Sequence, residues 1–266
     1  MKNRLFLLLA VASLAFVGCE KEITPAPGCF TISKTKQVKF APGNLEVMYS
    51  INPTTKVKEY TFAFANNQWD CASNAKMEPN SIFDLFGWGT GDEPDRSSDS
   101  AALYAHFVDW GQNTILESWA NPTPTSGGWR TLTFEEWNYI LNERPNAGKL
   151  RCLAQIDGNP GMLLLPDTWS LGEVRHTCSP NYSDTVFITT DPNNTDWKKF
   201  EDAGAVFLPA AGVRDKDRIK GYDLGRYWTS TENLFNGAFF IGFVDRTQYN
   251  DGLRQYGFSV RLAKEQ

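Results

Sequence analysis

Hydrophobic residues fall into short runs along the chain, and glycine or proline separates one run from the next. Val38 and Phe40 alternate with lysines, and Thr61–Ala65 shows a similar alternation. Met162–Leu165 and Ala205–Leu208 are continuous apolar runs, each followed by proline. These patterns predict half-buried strands in the first two segments and fully buried strands in the last two.

Two further strands are predicted near the C-terminus. The first is Phe239–Phe243, which is almost entirely apolar. The second is Phe258–Leu262, whose alternation places its three apolar residues on one face and Ser259 and Arg261 on the other. Because predicted strands lie at both ends of the chain, we expect the terminal strands to pair.

Two helices are predicted between the strands. Thr133 and Glu136 have the spacing of a capping box, and Pro145 ends the helix that follows. Its apolar face carries Phe134, Trp137, Ile140 and Leu141. A shorter helix begins at Asp196 and ends at Gly204. Short antiparallel strands, two helices and long loops predict a single α+β domain closed by its terminal strands.

The first 18 residues have the features of a secretory signal peptide. Lys2 and Arg4 precede an apolar run of 13 residues, Leu5–Val17, which is too short to span a bilayer. The run ends in Phe16-Val17-Gly18-Cys19, which resembles the lipobox of bacterial lipoproteins. We therefore expect cleavage after residue 18 and lipidation of Cys19; an ordinary cleaved signal peptide is the alternative.

Residues 19–28 are predicted to be a short tether. Glu20 and Glu22 follow the predicted lipidated cysteine, as in surface-export signals of some Gram-negative lipoproteins, and Pro25 and Pro27 come next. The expected location is therefore the outer membrane, attached by acyl chains and facing the cell exterior.

Composition narrows the classes of function. Aromatic residues make up 14% of the chain, whereas there are only two histidines, His106 and His176. Two isolated histidines cannot build a His-rich metal site, so we expect no metal and no other cofactor. The net charge of −5 argues against a nucleic-acid partner. Asp92, Glu93 and Asp95 lie in one loop with Asp99; a solvated acidic loop is expected there, with calcium binding as the alternative.

Four cysteines follow the lipobox, namely Cys29, Cys71, Cys152 and Cys178. In an oxidising compartment they could form two disulfides with three possible connectivities, or stay as buried free thiols. The sequence leaves these alternatives open.

Three segments in the second half resemble one superfamily. Trp129-Arg130-Thr131-Leu132-Thr133-Phe134-Glu135-Glu136-Trp137-Asn138-Tyr139 is similar to a signature of formylglycine-generating enzyme-type (sulfatase-modifying-factor) domains, a branch of the C-type lectin fold. Tyr227-Trp228-Thr229-Ser230-Thr231 and Gly257-Phe258-Ser259-Val260-Arg261-Leu262 resemble its later core segments, in the same order. The resemblance implies one C-type-lectin-like domain over residues 29–266.

Other segments resemble a narrower group of lipid-anchored lectin-fold proteins from gut-type bacteria. They include Phe40-Ala41-Pro42-Gly43-Asn44-Leu45 and Asp84-Leu85-Phe86-Gly87-Trp88-Gly89. Members of this group are similar to the variable proteins of diversity-generating retroelements, which display ligand-contacting residues on a fixed frame. The implied frame is Trp228, Ser230, Gly257, Phe258 and Val260.

The resemblance implies a protein or glycan ligand, bound by the C-terminal hairpin region at about residues 231–256. The implied contact residues are Glu232, Asn233, Phe235, Asn236, Phe239, Arg246, Gln248, Tyr249, Asn250, Asp251, Leu253, Gln255 and Tyr256. Adenine-directed mutagenesis of an AAC codon cannot produce glutamate or glutamine, which favours a fixed relative over a diversified protein. An ordinary surface hairpin, in a structural or assembly lipoprotein, is the alternative.

The enzymatic activity of the superfamily is not expected here. That activity uses a pair of cysteines near the C-terminus that bind copper, whereas this chain has no cysteine after Cys178. The histidines lie in no recognisable nucleophile motif, and the chain has no GxSxG sequence. We therefore expect a binding protein and not an enzyme, with a formylglycine-generating-type oxidoreductase as the least favoured alternative.

Overall fold

A computed structural model describes residues 22–72, 74–96, 106–170, 185–191, 196–234, 237–243 and 248–266. Within these ranges the chain forms small sheets, mostly antiparallel, and two short α-helices, so the architecture is α+β with strands predominating. None of the helices in these ranges is long and apolar enough to cross a membrane.

The strands, in chain order, are β1 (Phe30–Thr31), β2 (Gln37–Phe40), β3 (Leu45–Ile51), β4 (Lys58–Phe64), β5 (Ile82–Phe83), β6 (Ile115–Leu116), β7 (Pro124–Thr125), β8 (Trp129–Thr131), β9 (Arg151–Ile156), β10 (Asn159–Leu164), β11 (Val186–Ile188), β12 (Val206–Pro209), β13 (Val213–Asp215), β14 (Arg218–Lys220), β15 (Gly225–Asn233), β16 (Gly237–Phe243), β17 (Gln248–Leu253) and β18 (Leu262–Glu265). The α-helices are α1 (Phe134–Asn138) and α2 (Asp196–Asp202).

The chain ends meet in one antiparallel sheet of order β1-β2-β18-β8. Ala263 of β18 lies opposite Phe40 of β2 on one side and opposite Arg130 of β8 on the other. The predicted pairing of the terminal strands is therefore confirmed.

The remaining strands form four sheets, of order β5-β3-β4-β6-β7, β11-β9-β10-β12, β13-β14 and β15-β16-β17. Two pairings are parallel, β4 with β6 and β11 with β9, and the other pairings are antiparallel. The last sheet is a simple meander, and we call it the C-terminal meander.

Strand β16 lies between two parts of the hydrophobic core. Ala238 and Phe240 belong to one buried cluster, together with Trp228, Phe258 and neighbouring residues. Ile241 and Phe243 belong to a second cluster, with Tyr227 and α1. Because successive side chains point to opposite faces of a strand, β16 contributes to both clusters at once.

Helix α1 begins as predicted and ends differently. The Thr133 side chain accepts a hydrogen bond from the Glu136 amide, and the Glu136 side chain accepts one from the Thr133 amide. The helix then continues as one turn of π-helix over Tyr139–Glu143, in which the Arg144 amide donates to the Tyr139 carbonyl at 2.8 Å. Helix α2 and its left-handed Gly204 also agree with the prediction.

The segment Phe258–Leu262 is not one strand, because β18 begins only at Leu262. Phe258 and Ser259 form isolated bridges to Phe86 and Tyr227, which lie in different parts of the fold. No single neighbouring strand therefore runs beside the whole segment. The predicted alternation is nevertheless confirmed, since Phe258, Val260 and Leu262 all enter the same core cluster.

Residues 22–28 of the predicted tether lie against the domain. The Ile23 amide donates to the Lys34 carbonyl at 2.9 Å, and the Ala26 amide donates to the Gln37 side chain at 2.9 Å. Gly28 touches Gly204 closely enough that a Cβ at Gly204 would lie 2.4 Å from the Gly28 Cα. The part of the tether that the structure describes is thus packed and hydrogen-bonded.

The cysteines do not form two disulfides. Cys29 is a buried free thiol and Cys71 an exposed one, whereas Cys152 is disulfide-bonded. Cys29 therefore fits the alternative of a buried free thiol. Cys71 is also a free thiol, but its residue is exposed.

Candidate functional site

Four predicted contact residues share one face of the C-terminal meander. Gly237 of β16 pairs with Asn233 of β15 and with Leu253 of β17, and Phe239 pairs with Asp251. Directly opposed residues in antiparallel strands project from the same face. We call this group of Asn233, Phe239, Asp251 and Leu253 the outer meander face.

Gly237 is the central residue of the outer meander face. A Cβ placed there would lie 3.5 Å from Oδ2 of Asp251 and 3.7 Å from Cβ of Asn233, which are ordinary contact distances. A side chain would fit at this position, but it would fill the space between the two polar residues. Gly237 itself is buried, so the exposed part of this face is formed by the side chains around it.

Apolar side chains lie beside these polar residues. Phe239 is half-buried, and its ring centroid lies 4.7 Å from that of Phe134 in α1. Leu253 is 43% exposed, and Leu234 in the preceding turn is 75% exposed. Sequence analysis missed Leu234, although a leucine within a predicted surface hairpin is a recognisable signal of exposed apolar area.

Glu232 lies on the opposite face of the meander from Asn233, because it pairs with Ala238. Its carboxylate accepts a hydrogen bond from Arg254 at 3.3 Å. The Arg254 guanidinium also donates to the Gly237 carbonyl at 2.9 Å and lies 4.5 Å from the centroid of a Trp88 ring. Arg254 was not predicted as a functional residue, yet it supports the backbone of the outer meander face from behind.

Two more predicted contact residues lie mainly inside the protein. Gln255 is half-buried, and its buried Oε1 has no hydrogen-bond partner among the described residues. Tyr256 is half-buried against the first core cluster, with its ring 6.3 Å from Phe258. Both residues lie in the turn after β17.

The other predicted contact residues are only partly described. Phe235, Asn236 and Arg246 lie outside the described residues, as does the predicted lipidation site Cys19. The backbone of β17 places Gln248, Tyr249 and Asn250 opposite three successive residues of β16, namely Gly242, Ile241 and Phe240.

The predicted frame residues are inside the fold. The Trp228 indole donates to the Phe86 carbonyl at 2.7 Å, and its ring packs on Phe258 with centroids 4.2 Å apart. Gly257 sits where a Cβ would lie 2.7 Å from the Arg214 side chain. Val260 is fully buried, and Ser230 is half-buried in β15.

A buried polar group ties the chain ends together, and sequence analysis missed it. The Arg261 guanidinium donates to Oδ1 of Asn44 at 3.0 Å and to the Phe207 carbonyl at 2.7 Å. Asn44 in turn donates to the Tyr227 hydroxyl, which donates to the Pro209 carbonyl. Burial lowers the pKa of Arg261 to about 10. These hydrogen bonds hold the surrounding backbone in place, and the polar atoms that make them are buried.

Two carboxyl groups are also buried. The register that pairs Val47 with Phe83 places Glu46 opposite Asp84. Oε2 of Glu46 accepts a hydrogen bond from the Trp119 indole at 2.7 Å, whereas Oδ1 of Asp84 is buried without a partner among the described residues. Burial raises the pKa of Glu46 to about 7 and that of Asp84 to about 8, and the Glu46 charge adds to the second effect.

The acidic loop is held by ion pairs. Asp95 is buried and accepts bonds from Lys58 and Tyr60, each at 2.5 Å, while Arg96 pairs with Asp92 and Glu93. Asp99 lies outside the described residues. Among the residues that the structure does describe, no group of three or more His, Cys, Asp or Glu side chains could hold a metal ion.

Comparison of the chain with protein-family models, with curated proteins and with solved structures gives no match.

Proposed function

We propose that the chain is a lipid-anchored outer-membrane protein whose C-type-lectin-like domain binds a protein or glycan ligand through the C-terminal meander. The observation that carries this proposal is the outer meander face. It combines hydrogen-bonding side chains, Asn233 and Asp251, with exposed apolar area at Leu253 on one face of the meander.

The physical basis is a rigid backbone under adaptable side chains. Core packing on both faces fixes strand β16. Because β15 and β17 pair with β16, their positions are fixed as well. Polar residues beside aromatic and aliphatic contact area are typical of binding surfaces, because the apolar atoms supply desolvation and the polar atoms supply specificity. The exposed leucines at positions 234 and 253 favour a protein ligand.

The C-type-lectin-like part of the proposal draws support from the fold. The capping box of α1 and the pairing of the terminal strands both involve segments that resemble formylglycine-generating enzyme-type domains. The buried Trp228 and Phe258 support the same assignment. With no cysteine after Cys178, the proposed function is binding and not cysteine oxidation.

The lipid anchor is proposed at Cys19 and the location at the outer-membrane surface. Metabolic labelling with a palmitate analogue, followed by fractionation, tests both. We expect label and outer-membrane recovery in the natural chain and loss of both in Cys19→Ala. Label retained in that variant would contradict the anchor without affecting the binding proposal.

The binding proposal is tested by a triple variant, Asn233→Ala, Asp251→Ala and Leu253→Ala. Its side chains are partly or fully exposed, so the fold should persist, as circular dichroism would check. Val57→Ala, an apolar residue that is 59% exposed near the β3–β4 hairpin, is the matched control. The natural chain and the control are expected to bind a glycan on an array, or a protein in a surface cross-linking pull-down.

The triple variant should lose at least tenfold in affinity for that ligand, since a few central residues usually dominate binding. Unchanged binding would reject the outer meander face as the site and leave the structural or assembly function as the explanation. Oxidation of a cysteine in a sulfatase peptide would contradict the non-enzymatic proposal.

A further inference from the structure

One cavity lies away from the residues of the C-terminal meander. It is a cleft of about 310 Å³ between the N-terminal segment, the turn after β1 and the π-helical turn that follows α1. Its walls include Glu22, Thr31, Lys34, Tyr139, Glu143 and Asp167. The volume is at the lower end of the range for ligand pockets, so only a small molecule would fit.

Thr31 in the wall of this cleft has an unsatisfied hydroxyl. The residue is only 5% exposed, and its Oγ1 has no hydrogen-bond partner among the described residues. Its amide, by contrast, donates to Oδ2 of Asp167, whose Oδ1 accepts from Arg144 at 3.0 Å. A buried hydroxyl without a partner is costly, and a ligand in the cleft would supply the missing partner.

Carboxylates surround the same space. Tyr139 and Glu143 are both part of the π-helical turn, a type of turn that is rare and frequently found at functional sites. Burial raises the pKa of the Tyr139 hydroxyl, and the charges of Glu22, Asp167 and Glu143 raise it further. The negative potential of three separate segments therefore converges on this tyrosine.

Two cations compensate only part of that charge. Arg144 is committed to Asp167, and the Lys34 ammonium lies 4.0 Å from Glu22 on an exposed side chain. Three carboxylates against two cations leave one negative charge in excess. The hydroxyls of Thr31 and Tyr139 add hydrogen-bonding capacity beside it.

We propose that this cleft binds a small organic cation with a primary ammonium group, such as an aliphatic diamine. An ammonium carries three donors and no acceptor, which suits a wall of carboxylate and hydroxyl oxygens. The Tyr139 ring adds a face that attracts cations, and Ile23 with the two prolines in the walls accommodates a short methylene chain. This site is separate from the proposed ligand site on the outer meander face.

The test is isothermal titration of the full chain with putrescine, alongside 1,4-butanediol as a neutral analogue of similar shape. We expect one putrescine per chain, weaker binding at higher salt, and no binding of the diol. Thr31→Val and Glu143→Gln should each weaken putrescine binding about tenfold. Glu135→Gln, an exposed carboxylate of α1 that does not line the cleft, should leave it unchanged.

Thr31→Val should fold normally, because the hydroxyl that it removes makes no bond in the protein; an unchanged melting temperature checks this. No putrescine binding, equal binding of the diol, or full affinity in both cleft variants would overturn the proposal. The triple variant of the outer meander face should bind putrescine normally, which separates the two sites experimentally.

Discussion

Glu46 and Asp84 place two buried carboxyl groups opposite each other at the boundary of β3 and β5. Glu46 is 6% exposed and Asp84 is 1% exposed. Neither has an ion-pair partner among the described side chains; the bonds that they accept come from the Trp119 indole and from the Ala72 amide. Both groups therefore favour their protonated forms in the folded protein.

This arrangement predicts that stability falls as the pH rises. The folded-state pKa of Glu46 is about 7 against an ordinary 4.5, and that of Asp84 is about 8 against 3.8. Their contribution is fully present below pH 3.8 and is lost progressively as the pH rises to about 8. For Glu46 the difference corresponds to roughly 3 kcal/mol.

Glu46→Gln should accordingly increase the free energy of unfolding at pH 8 and change it little at pH 4, while keeping an acceptor for Trp119. Urea denaturation at both pH values measures this, with the exposed Glu78→Gln as control. If the variant and the natural chain showed the same pH dependence of the free energy of unfolding, ionisation of Glu46 would carry no free-energy cost in the folded protein.

Arg144 and Asp167 form a buried ion pair whose loss should be costly. Both side chains are almost completely buried, with 3.0 Å between Nη1 and Oδ1. Arg144→Met and Asp167→Asn each leave an unpaired buried charge, so each should cost about 3 kcal/mol. The double variant should cost clearly less than the sum, as a double-mutant cycle by chemical denaturation would show; additive costs would mean that the charges act independently.

Gly204 is predicted to be irreplaceable for two reasons. Its φ of +86° is unfavourable for other residues, and an added Cβ would meet the Gly28 backbone. Gly204→Ala should reduce the free energy of unfolding by about 2 kcal/mol or more. Gly148→Ala, where a Cβ meets nothing within 4 Å, is the matched control and should be neutral within about 1 kcal/mol. Equal melting temperatures for the two variants would contradict this prediction.

The two free thiols should differ in reactivity. Cys71 is exposed, whereas Cys29 is buried, so an alkylating reagent should label Cys71 in the native protein and Cys29 only after unfolding. Partial desolvation of the sulfur and the charge of Asp84 raise the pKa of Cys71, so its labelling should be slow at pH 7 and accelerate at higher pH. Peptide mapping by mass spectrometry identifies the labelled sites; native labelling of Cys29 would contradict the described burial.

The sequence predicted those elements whose signals come from residues that are close together in the chain. The capping box at Thr133, the glycine end of α2 and the terminal strands all follow from residues within a few positions of each other. The π-helical turn was not predictable, because the same apolar spacing fits an ordinary helix. Arg261 looked like the polar face of a strand, and only the tertiary fold shows that this face is buried as well.

The sequence named residues for the candidate site but not the faces of the sheet on which they lie. A shift of register between Trp228 and Glu232 interrupts the pairing of β15 with β16, and a bulge of this kind leaves no trace in hydrophobic periodicity. Glu232 and Asn233 follow this shift as consecutive residues of β15 in continuous register, so they project to opposite faces.

Under the proposed lipid anchor at Cys19, the packed N-terminal segment would limit how far the domain can move from a membrane. Because the chain is already bound to the domain at residues 22–28, only residues 19–21 separate a lipid on Cys19 from the fold. Three extended residues span at most about 10 Å. Anchored in this way, the domain would rest at the level of the lipid headgroups, and any ligand that it binds must come within a few nanometres of the bilayer.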